Sequence, residues 1–157
     1  MGVISYDMEI KSSLSAAKLF KAFVLDVGTL INKALPNVIK SVEILQGDGG
    51  AGTIKLVHFG EGGPVPSVKH HVEELDKDNM SYKYSIVDGE ALMPGLQSIS
   101  YVIKIEPSGH GSVCKHNTTF HFKAGSNINE DEIKAGKERA AEMIKAVEAY
   151  VQANPDY

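Results

Sequence analysis

The chain has 157 residues with 16 basic and 20 acidic side chains, a net charge of −4 and a pI near 5.8. That length suits one domain spanning 1–157 and is short of a cofactor domain plus a substrate domain, while the charge offers no excess of cations for a phosphate backbone, so no specific nucleic-acid partner is expected. Hydrophobic residues make up 43% and charged residues 23%, a composition that belongs to folded, soluble chains.

Residues 3 to 11 alternate around Val3, Tyr6, Met8 and Ile10, which predicts a strand. Ser12 and Ser13 then lead into Ala16, Ala17, Leu19, Phe20 and Phe23 at helical spacing, and a second short helix is expected over Val27 to Ala34, ending near Pro36. From Val38 to Phe122, alternating runs are broken by turn chemistry at Gly47–Gly52, Gly60–Pro66, Asp76–Asn79, Asp88–Pro94 and Pro107–Gly111, the texture of six successive antiparallel strands. After Gly125 the pattern is helical, with Asn129 placed to cap and Asp131 and Glu132 in the first turn, where the helix dipole favours anions. Ile133, Lys137, Ala140, Ile144, Val147 and Val151 form one stripe of a helix of about 25 residues, and Pro155 follows its end. In mid-stripe Gly136, Ala140 and Ala141 are small and Lys137 is charged; either the sheet comes close there or a space is left, and the helix alone leaves both open.

Strand phase assigns polar residues to an inner or outer face. Val57 and Phe59 carry Lys55 inward; Val68 and Val72 carry His70 inward and leave His71 outside. Tyr82, Tyr84 and Ile86 form a further inner row, Ile99, Tyr101 and Ile103 another, and Phe120 and Phe122 bring Cys114, His116 and Thr118 with them. An unpaired buried hydroxyl or imidazole costs on the order of 1–3 kcal/mol, so this many polar groups fit a closed core poorly. Facing a helix of small residues and a lysine, they point to an internal ligand cavity with apolar walls and a few polar groups.

Gly47, Gly49 and Gly52 satisfy G-x-G-x-x-G, but the strand residues Thr53-Ile54-Lys55 follow where a phosphate cradle needs a helix, so Gly47, Asp48, Gly49, Gly50 and Gly52 read as a glycine-rich hairpin loop. His70 and His71 point to opposite faces, His116 and His121 differ in phase, and no H-E-x-x-H or Cys pair occurs, so neither a metal nor another cofactor is expected. Cys114, the single cysteine, cannot form an internal disulfide and suits a reducing compartment; on an apolar strand it packs as a small hydrophobe. Asp7, Glu9 and Lys11 interrupt any secretory core, and no run reaches the roughly 20 apolar residues of a membrane span, so a cytoplasmic place without a membrane partner is expected.

Leu19-Phe20-Lys21-Ala22-Phe23, Lys40-Ser41-Val42-Glu43, the run Gly47-Asp48-Gly49-Gly50-Ala51-Gly52-Thr53-Ile54-Lys55 and Lys145-Ala146-Val147-Glu148-Ala149-Tyr150, with Met1-Gly2-Val3 ahead of them, resemble the plant pathogenesis-related class 10 family, to which the major birch pollen allergen belongs. The resemblance covers the whole chain. It implies an α+β fold, a seven-stranded curved antiparallel sheet wrapped around a long C-terminal helix with two short helices, and a cavity for hydrophobic plant molecules such as cytokinins, flavonoids, abscisic acid or sterol-like compounds. The expected ligand-binding residues are Phe23, Ile31, Lys55, Val57, Phe59, Val68, His70, Tyr82, Tyr84, Ile99, Tyr101, His116, Ala140 and Ile144, with Lys55 and Lys137 available to an acidic or hydroxylated group. Of the ribonuclease residues described for some members, Lys55, Glu148 and Tyr150 match, but Gln97 stands in place of the acid and cannot transfer a proton. Other members are enzymes of alkaloid biosynthesis that use a lysine and a carboxylate in the cavity; no inward carboxylate is apparent from strand phase. No catalytic residue is therefore assigned, and enzyme function stays open and not preferred. A monomer is expected, and a protein partner that reads ligand occupancy is left open.

Overall fold

The computed structural model describes residues 2–61, 66–87, 95–125 and 130–154. β1 (Gly2–Ser12) alternates between exposed and more buried positions and ends with Ile10 and Ser12 buried. The Ser15 hydroxyl then accepts the Lys18 amide at 3.3 Å and caps α1 (Ala16–Phe20). A single π-helical turn (Lys21–Leu25) leads into α2 (Val27–Ala34). Where the spacing predicts plain helix through Phe23, the Asp26 amide donates to the Lys21 carbonyl at 2.7 Å and widens the turn. That puts Ala22 and Val24 into the core and Phe23 against the space under the sheet.

Six strands follow: β2 (Ile39–Gln46), β3 (Ile54–Phe59), β4 (Ser67–Asp76), β5 (Ser81–Ile86), β6 (Leu96–Ser108) and β7 (Gly111–Phe122). All neighbours are antiparallel, in the order β1-β7-β6-β5-β4-β3-β2. Register shifts within β2–β3, β4–β5 and β6–β7 bend the sheet. Pro107, expected in a turn, lies in β6 opposite Ser112. The reversal is the pair Gly109-His110, with Gly109 at φ 58°, and a proline so near a strand end leaves most of the ladder intact. The expected turn Asp88–Pro94, part of Gly60–Pro66, the cap Asn129 and Pro155 lie outside the described residues.

The chain closes with α3 (Glu130–Ala153). Ile144, Val147 and Val151 are buried in a large apolar cluster with Leu19, Phe20, Ile31, Ile105 and Cys114, while Ile133 joins a smaller one with Leu96, Ile99, Phe120 and Phe122. Polar bonds fix the later half of α3 to the end of β1. Glu148 Oε2 accepts from Ser12 Oγ at 2.6 Å and from the Ser13 amide at 3.2 Å. Lys145 Nζ donates to the Lys11 carbonyl and Gln152 Nε2 to Ser13 Oγ, each at 2.6 Å. The two clusters hold the ends of the helix, and the site lies between them.

Candidate functional site

Between the concave face of the sheet and α3 lies a cavity of about 200 Å³. Its helical wall is Gly136, Arg139, Ala140 and Met143, spaced i, i+3, i+4, i+7 as one face of a helix must be. A Cβ built on Gly136 meets no atom within 4 Å. Of the alternatives the sequence leaves open for this stretch, the structure therefore has a space, not a close helix–sheet contact. Phe23, Ile31, Lys55, Val57, Phe59, Val68, His70, Tyr82, Tyr84, Ile99, Tyr101, His116 and Ala140 all line it.

Two expected residues do not. Ile144 is fully buried in the apolar cluster, because its position is rotated about 40° from that of Ala140 around the helix. Lys137 stands apart from the cavity-lining face and places its ammonium 4.2 Å from the centre of the Tyr6 ring, a cation–π contact. Tyr6, Ile39, Val42, Ile86, Leu96, Ile103, Thr118, Phe120, Gly136, Arg139 and Met143 complete the walls. The i, i+3, i+4, i+7 set on α3 was a signal for its members; Tyr6 shares the β1 face of Met8 and Ile10, which pointed inward without saying at what.

Across β4 to β7 the polar rings form a continuous stack. His70 lies on Tyr84 at 4.6 Å between ring centres, Tyr84 on Tyr101 at 4.6 Å, and Tyr101 beside His116 at 5.7 Å, with interplanar angles of 24°, 15° and 20°. Tyr82 tilts against Tyr84 at 5.3 Å. His70, Tyr84 and Tyr101 are half-buried and line the cavity. Burial lowers the His70 pKa to about 3, helped by the charges of Lys55 and His71, and lowers that of His116 to about 4. Both imidazoles are neutral at pH 7. Burial raises the Tyr82 phenol to about 12 and those of Tyr84 and Tyr101 well above their ordinary range, so all three hydroxyls are protonated donors. His116 is 5% exposed, and its Nδ1 has no hydrogen-bond partner among the described residues.

Lys55 is buried on β3 with Nζ 3.4 Å from the Tyr82 hydroxyl, and burial lowers its pKa. Glu148, in contrast, is tied to Ser12 and Ser13 and lies outside the cavity walls, and Gln97 is exposed on β6. The residues matched to the ribonuclease set thus do not meet around one space. Cys114 is fully buried, with burial raising its thiol to about 12, which keeps it from acting as a nucleophile.

The glycine loop joins β2 to β3 as a hairpin. Gly47 has φ 95°, and a Cβ there would sit 2.6 Å from Thr53 Oγ1, so both conformation and space require glycine. The Gly49 amide donates to Thr53 Oγ1 at 2.8 Å, the Gly50 amide to Asp48 Oδ1 at 3.0 Å and the Gly52 amide to the Val72 carbonyl at 2.9 Å. Amides that would cradle a phosphate are thus engaged within the chain.

A curved antiparallel sheet closed by a long helix over a cavity of mixed apolar and aromatic walls defines the architecture. Residues 1–154 match the Pathogenesis-related protein Bet v 1 family, and the chain belongs to that family. It is 49% identical to Major allergen Pru ar 1 of Prunus armeniaca over 99% of this chain and 98% of that protein. It is 48% identical to Major strawberry allergen Fra a 1.07 of Fragaria ananassa at the same coverage, 99% and 98%. Among solved structures, that of Ara h 8.0201 superposes with a TM-score of 0.86 at 34% identity, covering 98% of this chain and all of that one. Norcoclaurine synthase from Thalictrum flavum, in complex with dopamine and hydroxybenzaldehyde, has a TM-score of 0.73 at 22% identity, with 98% and 88% covered; that likeness concerns the fold. Among the described residues no helix is long and apolar enough to cross a membrane.

Proposed function

We propose that this protein binds a hydrophobic plant small molecule in the cavity, in the range of cytokinins, flavonoids, abscisic acid or sterol-like compounds, and stores, carries or signals it as a cytoplasmic, defence-related protein. The observation that carries the reading is the open space at Gly136 opposite a stack of neutral polar rings. A ligand that loses about 300 Å² of apolar surface there, at ~25 cal/mol per Å², gains ~7 kcal/mol before the entropic cost of binding. Neutral imidazoles and phenols add hydrogen-bond directions without a large desolvation cost.

Ala140→Phe tests it. The ring enters the cavity, so the affinity for an apolar fluorescent probe falls by about tenfold or more while the melting temperature stays within ~2 °C. In a packed site the same substitution overpacks and costs about 1–3 kcal/mol. A large stability loss, with no probe bound by the unsubstituted protein, overturns the reading. A second reading, an enzyme working in the same cavity, rests on Lys55 beside the Tyr82 hydroxyl. A ribonuclease would show cleavage of single-stranded RNA by rigorously purified protein that disappears in Lys55→Ala.

A further inference from the structure

The charged groups on the cavity wall are all of one sign. Lys55 reaches it from β3 and Arg139 from α3, and no Asp or Glu is among its described lining residues. Elsewhere lysines have carboxylates at hand: Lys83 with Glu74 at 3.1 Å, Lys115 with Glu106 at 2.9 Å, Lys145 with Glu148 at 3.7 Å. Those pairs lie on the partly exposed surface, where an ion pair contributes little. Among the described residues Lys55 is the one buried lysine, and its contacts carry no negative charge: the Tyr82 hydroxyl at 3.4 Å and the Tyr82 ring, whose centre is 5.5 Å from Nζ. Its register partners are Ile44 on β2 and His70 on β4, and neither supplies a negative charge. The third nearby cation, Lys137, is already seated on the Tyr6 ring.

A buried ammonium without a counter-charge is costly, and methionine would fill the same volume without the penalty. The cost disappears when something inside the cavity carries the opposite charge. The space next to Lys55 is walled by Tyr82 and by the His70–Tyr84–Tyr101 stack, whose ring faces are turned on one another so that edges are left for the cavity, and a ring edge packs well on the face of an aromatic partner. We propose that the cavity selects an aromatic carboxylic acid, bound as its anion, with Lys55 as the counter-ion and the Tyr82 hydroxyl as a second donor to the carboxylate. This inference rests on the ligand-binding reading above and narrows it from apolar molecules in general to acids. Lys55 then determines specificity. The stacked rings and apolar walls provide the bulk of the contact, and the lysine discriminates an acid from a neutral molecule of the same shape, since a charge-assisted bond in a low-dielectric site is worth more than a neutral one. Arg139 adds positive potential from the opposite wall.

Isothermal titration of the full chain with 2-naphthoate and with the near-isosteric 2-naphthamide tests this, in the unsubstituted protein and in Lys55→Met. The expected result is an acid bound about tenfold or more tightly than the amide. In Lys55→Met that preference collapses to about unity while the amide is bound within about threefold of its original affinity. Equal binding of acid and amide by the unsubstituted protein overturns the inference and leaves the ligand-binding reading standing. An acid preference that persists in Lys55→Met also overturns it, because the selecting charge is then not Lys55. Binding of neither compound, nor of the fluorescent probe, overturns the ligand-binding reading and the inference with it. If Lys55→Met does not fold, Lys55→Gln supplies the same comparison without the charge.

Discussion

Along α3, the turns that carry Ile144, Val147 and Val151 fill the hollow of the sheet, whereas those that carry Gly136, Arg139, Ala140 and Met143 leave it open. Both halves obey the same 3.6-residue period. They differ in side-chain volume and in tethering: the later half is pinned through Lys145, Glu148 and Gln152 to the end of β1, and the earlier half ends on Ile133 in a separate cluster. Stability and binding are thus separated along one helix. The filled half fixes the position of the helix, and that fixed position keeps the other half from collapsing onto the sheet.

The largest test removes volume from the filled half. Ile144→Ala deletes a fully buried side chain and should cost about 2–5 kcal/mol in chemical denaturation; a loss under ~1 kcal/mol would mean that this half is loosely packed as well. The tether comes next. Glu148→Ala removes the acceptor of the Ser12 hydroxyl and the Ser13 amide and should cost about 1.5–3 kcal/mol. Burial acts to raise the Glu148 carboxyl, but the Ser12 and Ser13 bonds and Lys145 outweigh it and leave the pKa lowered. The stabilisation from this group is therefore present above the ordinary glutamate range and lost as pH falls through the lowered value.

The open half has its own pH signature. His70 and His116 have folded pKa values of about 3 and about 4 against 6.5 unfolded, so the unfolded chain binds more protons between those values. Stability is complete above about pH 7 and declines as pH falls from about 6.5 toward 4, by up to roughly 3 kcal/mol for each histidine. Thermal melts at pH 7.5, 6, 5 and 4.5 should show a decline that His116→Phe flattens; an unchanged slope in that variant would place the acid sensitivity outside the cavity. The smallest effect is expected at Gly136. Alanine there meets open space and improves helix propensity, so Gly136→Ala should gain about 0.5–1 kcal/mol. A loss of stability instead would break the contrast between the two halves.

The strands and the inner rows of the sheet were legible because alternation survives the bends: Tyr82 and Tyr84, Ile99 and Tyr101, His116 and Thr118 each keep phase with a buried neighbour. The π-helical turn was not, since Lys21–Leu25 carries no residue that forbids an ordinary helix. Pro107 misled because proline signals turns more often than strand ends. On α3 the sequence shows a single stripe, whereas in the structure the turns through Ile144, Val147 and Val151 are packed and those through Gly136, Arg139, Ala140 and Met143 border a space, and small residues cannot announce in sequence whether they touch a neighbour or a space. Arg139 was missed for a related reason, as a charged residue on a long helix reads first as solvent-facing.

β1 pairs along its length with β7, from Gly2 opposite Phe122 to Ser12 opposite Ser112. As the chain leaves the ribosome, the strand made first must wait for the last strand before it has a hydrogen-bonded neighbour, with about a hundred residues of loop to close. β2 to β7 can zip in order, each onto the strand before it, while the Glu148 bonds that tether α3 form only once Ser12 and Ser13 are in place. The β1–β7 pairing thus joins strands far apart in sequence, and while it is unmade the free edge of β7 is open to the β1 of another copy, which makes strand exchange a hazard of this topology.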